Sequence, residues 1–187
     1  WVEPIRLVPS TMPGQAAQRP ACSPIAAPEV AAPMTKLSPE ILATRETGDF
    51  AYGGVLERAD LRGANLTALR LEDPSWTGCD FRDASFEDFR CMGGNLSQGR
   101  WEGAALGGAR MMDVAFASGV FDGCWMERGV FPACDFRRCS LVGVDLSGAE
   151  LLGAVFDGAN LRDANLEGAR CVKVSFRGAD LRGANLA

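Results

Sequence analysis

Histidine is absent from the 187 residues, and lysine occurs only as Lys36 and Lys173. Without an imidazole no Ser-His or Cys-His nucleophile and no His-bearing metal centre can be assembled. No Cys-x-x-Cys pair exists to build a zinc site. A run of apolar residues long enough for a signal peptide or a membrane span is also missing. So is a basic footprint for nucleic acid: from residue 56 onward 19 acidic side chains face 15 basic ones, leaving −4 of the total −5. Opposite signs are interspersed, so the strong acidity that would imitate a DNA backbone is lacking too. These absences predict a chain that is not an enzyme, takes no cofactor and binds neither nucleic acid nor membrane directly.

Proline is abundant but segregated, with eight of the ten before residue 40 in an alanine-rich stretch without a sustained apolar period. Residues 1–37 therefore read as an extended linker or tail. The chain opens at Trp1 without a methionine, as a piece of a longer protein would. Residues 38–55 follow as a lead-in. Ser38, Pro39 and Gly48 supply an N-cap, a first-turn proline and a glycine stop, which predicts a short helix.

From Leu56 a large apolar residue recurs every five positions to Leu186, through Trp76, Phe81, Phe86, Trp101, Met111, Phe116, Phe136 and Phe156. Two positions before each of these centres the side chain is usually small, as at Ala59, Ala64, Ala104 and Ala154, and glycine is common two positions after. Period five matches neither a helical face nor a plain strand. If the small and large residues point inward as in a strand, the other three form a corner, where glycine supplies a permissive backbone. Stacked coils of this kind bury one continuous column.

Ala59-Asp60-Leu61-Arg62-Gly63, residues 159–168 and residues 179–186 resemble the pentapeptide-repeat family. The resemblance spans residues 56–187 and implies an all-β, right-handed quadrilateral β-helix with four repeats per coil. At strand spacing its length is about 31 Å. The exchanged sizes in Phe89-Arg90-Cys91, beside the overfilled Leu69 and Leu71, predict that the second and third coils are the least regular.

Six of the seven cysteines (Cys79, Cys91, Cys124, Cys134, Cys139 and Cys171) fall on inward positions and read as packing residues. Cys22 lies in the linker. A reducing, cytoplasmic setting is the default expectation, with secretion as part of a larger protein left open. The adjacent acids Glu87 and Asp88 are the nearest thing to a carboxylate pair, and on a solenoid wall such acids are solvated.

Four repeats per coil stack the residue after each centre in steps of 20, and one such column reads Glu72, Met92, Met112, Pro132, Leu152, Val172. The other columns are polar or charged. Beside it run Arg70, Arg90, Arg110, Val130, Glu150 and Arg170. An apolar ridge edged by arginines is the composition of a protein interface or of a seat for the chain's own Trp1, Val2, Ile5, Leu7 and Val8. Trp125, with Val120 and Val130, is a second outward patch. The array stops inside a repeat, so an end-to-end homodimer is among the expected assemblies.

The expected function is a non-enzymatic protein-interaction scaffold or adaptor, one domain of a larger bacterial protein, in keeping with secretion adaptors and effectors that carry such arms. The resemblance offers an alternative, the DNA-mimicking topoisomerase (gyrase) binding of the quinolone-resistance members, which the modest acidity disfavours. A structural, self-assembling solenoid is the third reading.

Overall fold

In the computed structural model residues 37–187 are described. The elements are α1 (Pro39–Thr47), β1 (Ala51–Tyr52), β2 (Val55–Glu57), β3 (Arg70–Glu72), β4 (Ser75–Thr77), β5 (Arg90–Met92) and β6 (Arg110–Met112). All strand pairs are parallel: β1–β3–β5–β6 form one sheet and β2–β4 another. Single parallel bridges continue the stacking, from Asp60↔Asp80 to Asn165↔Asn185, always 20 residues apart. The result is the four-sided pentapeptide-repeat β-helix with one short helix.

Most repeats use their backbone in the same way. Around Phe136, the Phe136 N–H donates to the Val155 carbonyl at 2.8 Å and the Arg138 N–H to Asp157 at 3.1 Å. The Asp135 N–H reaches down to Val114 at 3.0 Å, and the Cys139 N–H closes the turn on the Phe136 carbonyl at 3.2 Å. That turn requires a left-handed residue two after every centre, and every one from Arg58 to Gly183 has φ between 45° and 76°. Half of these corners are glycine. At the others, such as Ala68 and Ala133, a Cβ is held where it costs about 1 kcal/mol.

The twenty-residue step is visible in the core. Phe116, Phe136, Phe156 and Phe176 stack with ring centroids 4.9, 4.8 and 5.3 Å apart. Phe81, Trp101 and Phe121 stack beside them at 4.2 and 5.3 Å. Edge contacts such as Phe121 on Phe136, at 5.7 Å and 73°, tie the two columns together. Stacked and edge-on rings each add about 0.5–1.5 kcal/mol beyond their burial.

The second and third coils carry departures, as the exchanged sizes predict: Gly94 takes a positive φ of 100° away from a corner, and Gly94, Gly99 and Val114 do not make the turn bond, yet the register holds. Leu71, Cys91 and Met111 lie in unbroken register, and Leu69, Leu71 and Phe89 are fully buried. Volume is conserved around them: Phe89 packs edge-on against Phe86 at 5.1 Å where Cys91 leaves room. Pro74 is likewise accommodated by glycines on both sides. A Cβ on Gly53 would lie 2.4 Å from the Pro74 Cβ, and one on Gly94 would lie 2.6 Å from the Pro74 carbonyl oxygen. Neither proline breaks the ladder. Pro74 occupies a position whose N–H elsewhere makes only the turn bond, and its carbonyl still accepts from Asn95 at 2.7 Å. Pro132 follows a centre, where N–H groups bond side chains, as Arg137 does with Asp135; its carbonyl accepts from Asp113 at 3.0 Å.

Helix α1 covers part of the first coil, with Leu37, Ile41 and Thr44 buried. Ser38 caps it by accepting from the Ile41 N–H, and Gly48 closes it in the left-handed region at φ 74°. The helix also replaces missing coil partners. The Thr44 hydroxyl accepts the Arg70 N–H at 3.1 Å, and the Arg45 guanidinium donates to the Asn65 and Thr67 carbonyls that no lower coil covers. The predicted linker, with Cys22 and Trp1 to Val8, lies outside the described residues, except for Leu37.

Two substitutions test the corner geometry by urea unfolding. Ala133→Gly, exposed and at φ 56°, is expected to stabilise by about 0.5–1 kcal/mol. Gly94→Ala, at φ 100° against Pro74, is expected to cost about 2 kcal/mol or more.

Candidate functional site

The residue after each centre points outward because the centre itself is turned into the core. The register Glu72↔Met92↔Met112 therefore places these side chains directly above one another on the outer face of β3, β5 and β6. Met92, Met112, Leu152 and Val172 are 45–53% exposed, and Pro132 between them is half-buried. Below Glu72 the same column reaches Tyr52 through the β1–β3 pairing. Most of the remaining exposed surface is charged or polar; Trp125, at 43% exposed, stands alone in a column of Ser85, Ala105, Asp145 and Asn165.

The lower half of the ridge is concave. A depression of about 150 Å³ is lined by Phe50, Arg90, Met92, Arg110, Met112, Val130 and Pro132, with Cys91 and Met111 at its floor. Phe50 was not singled out in the sequence. Its signal was present, since stepping back 20 residues from Arg70 lands on it, one coil position below the first recognised repeat.

The arginines beside the ridge differ from one another. Arg70 is half-buried, and its guanidinium lies against Gly48, where a Cβ would sit 3.7 Å from it; it thus faces the carbonyl end of α1 and is turned away from the ridge. Arg90 and Arg110 are exposed and one coil apart, and their side chains make no hydrogen bond or ion pair among the described residues. Arg170 lies 3.6 Å from Glu150. Several arginines on the other sides pair within their own turn, as Arg62 with Asp60, Arg82 with Asp80, Arg137 with Asp135 and Arg182 with Asp180, at 2.6–2.8 Å, whereas among the described residues Arg58, Arg128, Arg138, Arg162 and Arg177 do not. These bonds hold the carboxyls of Asp80 and Asp135 below the usual range, and that of Asp180 down to about 2.

The buried thiols are filling. Cys134 and Cys139 each point at a backbone carbonyl of the coil below at 3.1 Å, and Cys124 does the same to Trp101. Burial pushes Cys91, Cys134 and Cys139 up to about 12 and raises Cys124 as well. Cys171 departs from the expected inward packing and is exposed. Among the described residues no cluster of His, Cys, Asp or Glu could hold a metal ion, and no helix is long and apolar enough to cross a membrane.

Two measurements follow from this electrostatic arrangement. Alkylation at about pH 8, mapped by mass spectrometry, is expected to modify Cys171 in the native protein and to reach Cys91, Cys124, Cys134 and Cys139 only after unfolding. By NMR, Asp180 is expected to titrate near 2, so its bond to Arg182 persists as pH falls below 4 and breaks near 2. In Arg182→Ala that midpoint is expected to move up towards the ordinary aspartate value of about 3.9.

The model for the family described as pentapeptide repeats matches residues 134–170 and 159–187, in eight copies. No curated protein matches the sequence. Similar solved structures include a trypsin-treated variant of QnrB1, a plasmid-mediated fluoroquinolone resistance protein, at 19% identity, covering 75% of this chain and 78% of that one, TM-score 0.34. Rfr23 from the cyanobacterium Cyanothece 51142 is 18% identical, over 79% of this chain and 98% of its own, TM-score 0.32. HetL, involved in heterocyst differentiation regulation in the cyanobacterium Nostoc sp. strain PCC 7120, is 18% identical, over 80% and 94%, TM-score 0.33. At these scores none of their roles transfers to this chain. The matched repeats, residues 134–187, are pentapeptide repeats, and they run in one register into the coils below them.

Proposed function

We propose that the chain is a non-enzymatic protein-interaction module, a scaffold or adaptor arm that docks a protein partner on the ridge of Met92, Met112, Pro132, Leu152 and Val172. The observation that carries this reading is the stacking of five apolar side chains on one outer face, four of them about half exposed, above a concavity in an otherwise polar surface. An interface core is depleted in charge and enriched in methionine and arginine, which is the composition of this side. Chemistry has little to work with: the chain has no histidine, and the interior thiols are held protonated.

The test is affinity capture from the native host with the wild-type chain and with Met112→Asp/Leu152→Asp. Both positions are exposed, so the double variant is expected to keep its circular dichroism and its unfolding midpoint. Loss of captured partners from the folded double variant supports the reading. Retention of every partner would remove the ridge as the docking surface.

A further inference from the structure

We propose that the ridge receives an amphipathic α-helix whose apolar stripe is edged on one side by carboxylates. This rests on the reading of the ridge as a docking surface and specifies what docks there. Two independent features carry it, the spacing of the ridge and the charge beside it.

The apolar side chains are one coil apart, about 4.8 Å, so the three steps from Met92 to Leu152 cover about 14 Å. A helix presents residues i, i+4, i+7 and i+11 on one stripe over about 16 Å, close enough for each to meet one rung. Four alternate residues of an extended strand span about 20 Å and fall out of step by more than one rung. A polyproline II helix returns to the same face every third residue, about 9 Å, and so meets only every second rung. A helix is the regular element that meets each rung from Met92 to Leu152.

Charge selects among helices. Arg90 and Arg110 stand one above the other without a carboxylate, whereas Arg62, Arg82, Arg100, Arg137 and Arg182 each hold one within the same turn. Two arginines one coil apart on the same edge complement a pair of acidic side chains one helical turn apart. On the lower rungs the positive charge is one-sided, because Asp73 and Asp113 occupy corners on the other edge; higher up Glu150 stands on the arginine edge and Lys173 on the other. A helix with carboxylates along both flanks is thereby disfavoured, and one with acids on the arginine side alone is accepted in a single orientation. Between the arginines and the methionines, the depression bounded by Phe50 and Pro132 takes one aliphatic or aromatic side chain as an anchor. Methionine walls adapt to either shape.

The experiment uses the full chain and a fluorescent synthetic helical peptide of about four turns. It carries leucine at i, i+4, i+7 and i+11 and glutamate along one flank; a second peptide has lysine in place of each glutamate. Fluorescence anisotropy is expected to show binding of the glutamate peptide, weakened by raising salt from about 50 to 300 mM. The lysine peptide is expected to bind at least about tenfold more weakly. Met112→Asp is expected to weaken the glutamate peptide by about tenfold or more, and Arg90→Glu/Arg110→Glu to reverse the preference between the two peptides. Equal binding of both peptides, each lost in Met112→Asp, overturns the acidic helix and leaves the ridge as a docking surface. Binding undiminished by Met112→Asp overturns both readings, and no binding of either peptide overturns the helix. Displacement of the bound probe by a peptide of residues 1–9 would assign the ridge to the chain's own segment and overturn the proposal.

Discussion

A coil that closes every twenty residues needs a left-handed corner every five, and almost every other feature follows from that constraint. The corner residue turns the chain through one side of the square, and the centre before it is left pointing inward. Its own N–H and those on either side of the turn are then aimed along the axis at the neighbouring coil. Half of the corners accept the strain without glycine, as at Ala68, Asp83, Arg128 and Lys173. That strain is tolerated because each corner is held by bonds that stack with the corners above and below it.

The interior is correspondingly complete. Phenylalanines at twenty-residue spacing form a ladder of rings, thiols sit where alanine would leave space, and Pro74 is compensated by glycines in adjacent coils. Helix α1 shows the same economy, since Arg45 and Thr44 supply the hydrogen bonds that a further coil would have made. Variation is left to the outer residues on either side of each centre, which the fold holds in straight columns but does not otherwise restrict.

Much of this was legible in the sequence because period five assigns every residue an inward, outward or corner place. The centres, the buried cysteines and the column from Met92 to Val172 all fall where the period puts them, and the helix falls where Ser38 and Gly48 cap it. What escaped depends on neighbours twenty residues away or on ends. Arg70 looked like an edge of the ridge, but the carbonyl end of α1 draws its guanidinium aside. Phe50 completes the depression because the register continues below the first recognised repeat. The apparent misfit of Phe89 and Cys91 resolves only when volumes are summed across a coil, and Cys171 is exposed where inward packing was expected.

The packed interior and the straight outer columns both depend on the coil register. Amide hydrogen exchange of the native protein tests that register most directly. Amides at centres such as Trp101, Phe136, Leu146 and Leu161, which donate to the next coil, are expected to exchange slowly. Those one residue on in exposed turns, at Arg137, Arg162 and Glu167, which bond only side chains, are expected to exchange much faster, so that protection repeats every five residues. Protection without that period, or fast exchange at the centres of the middle coils, would contradict the account.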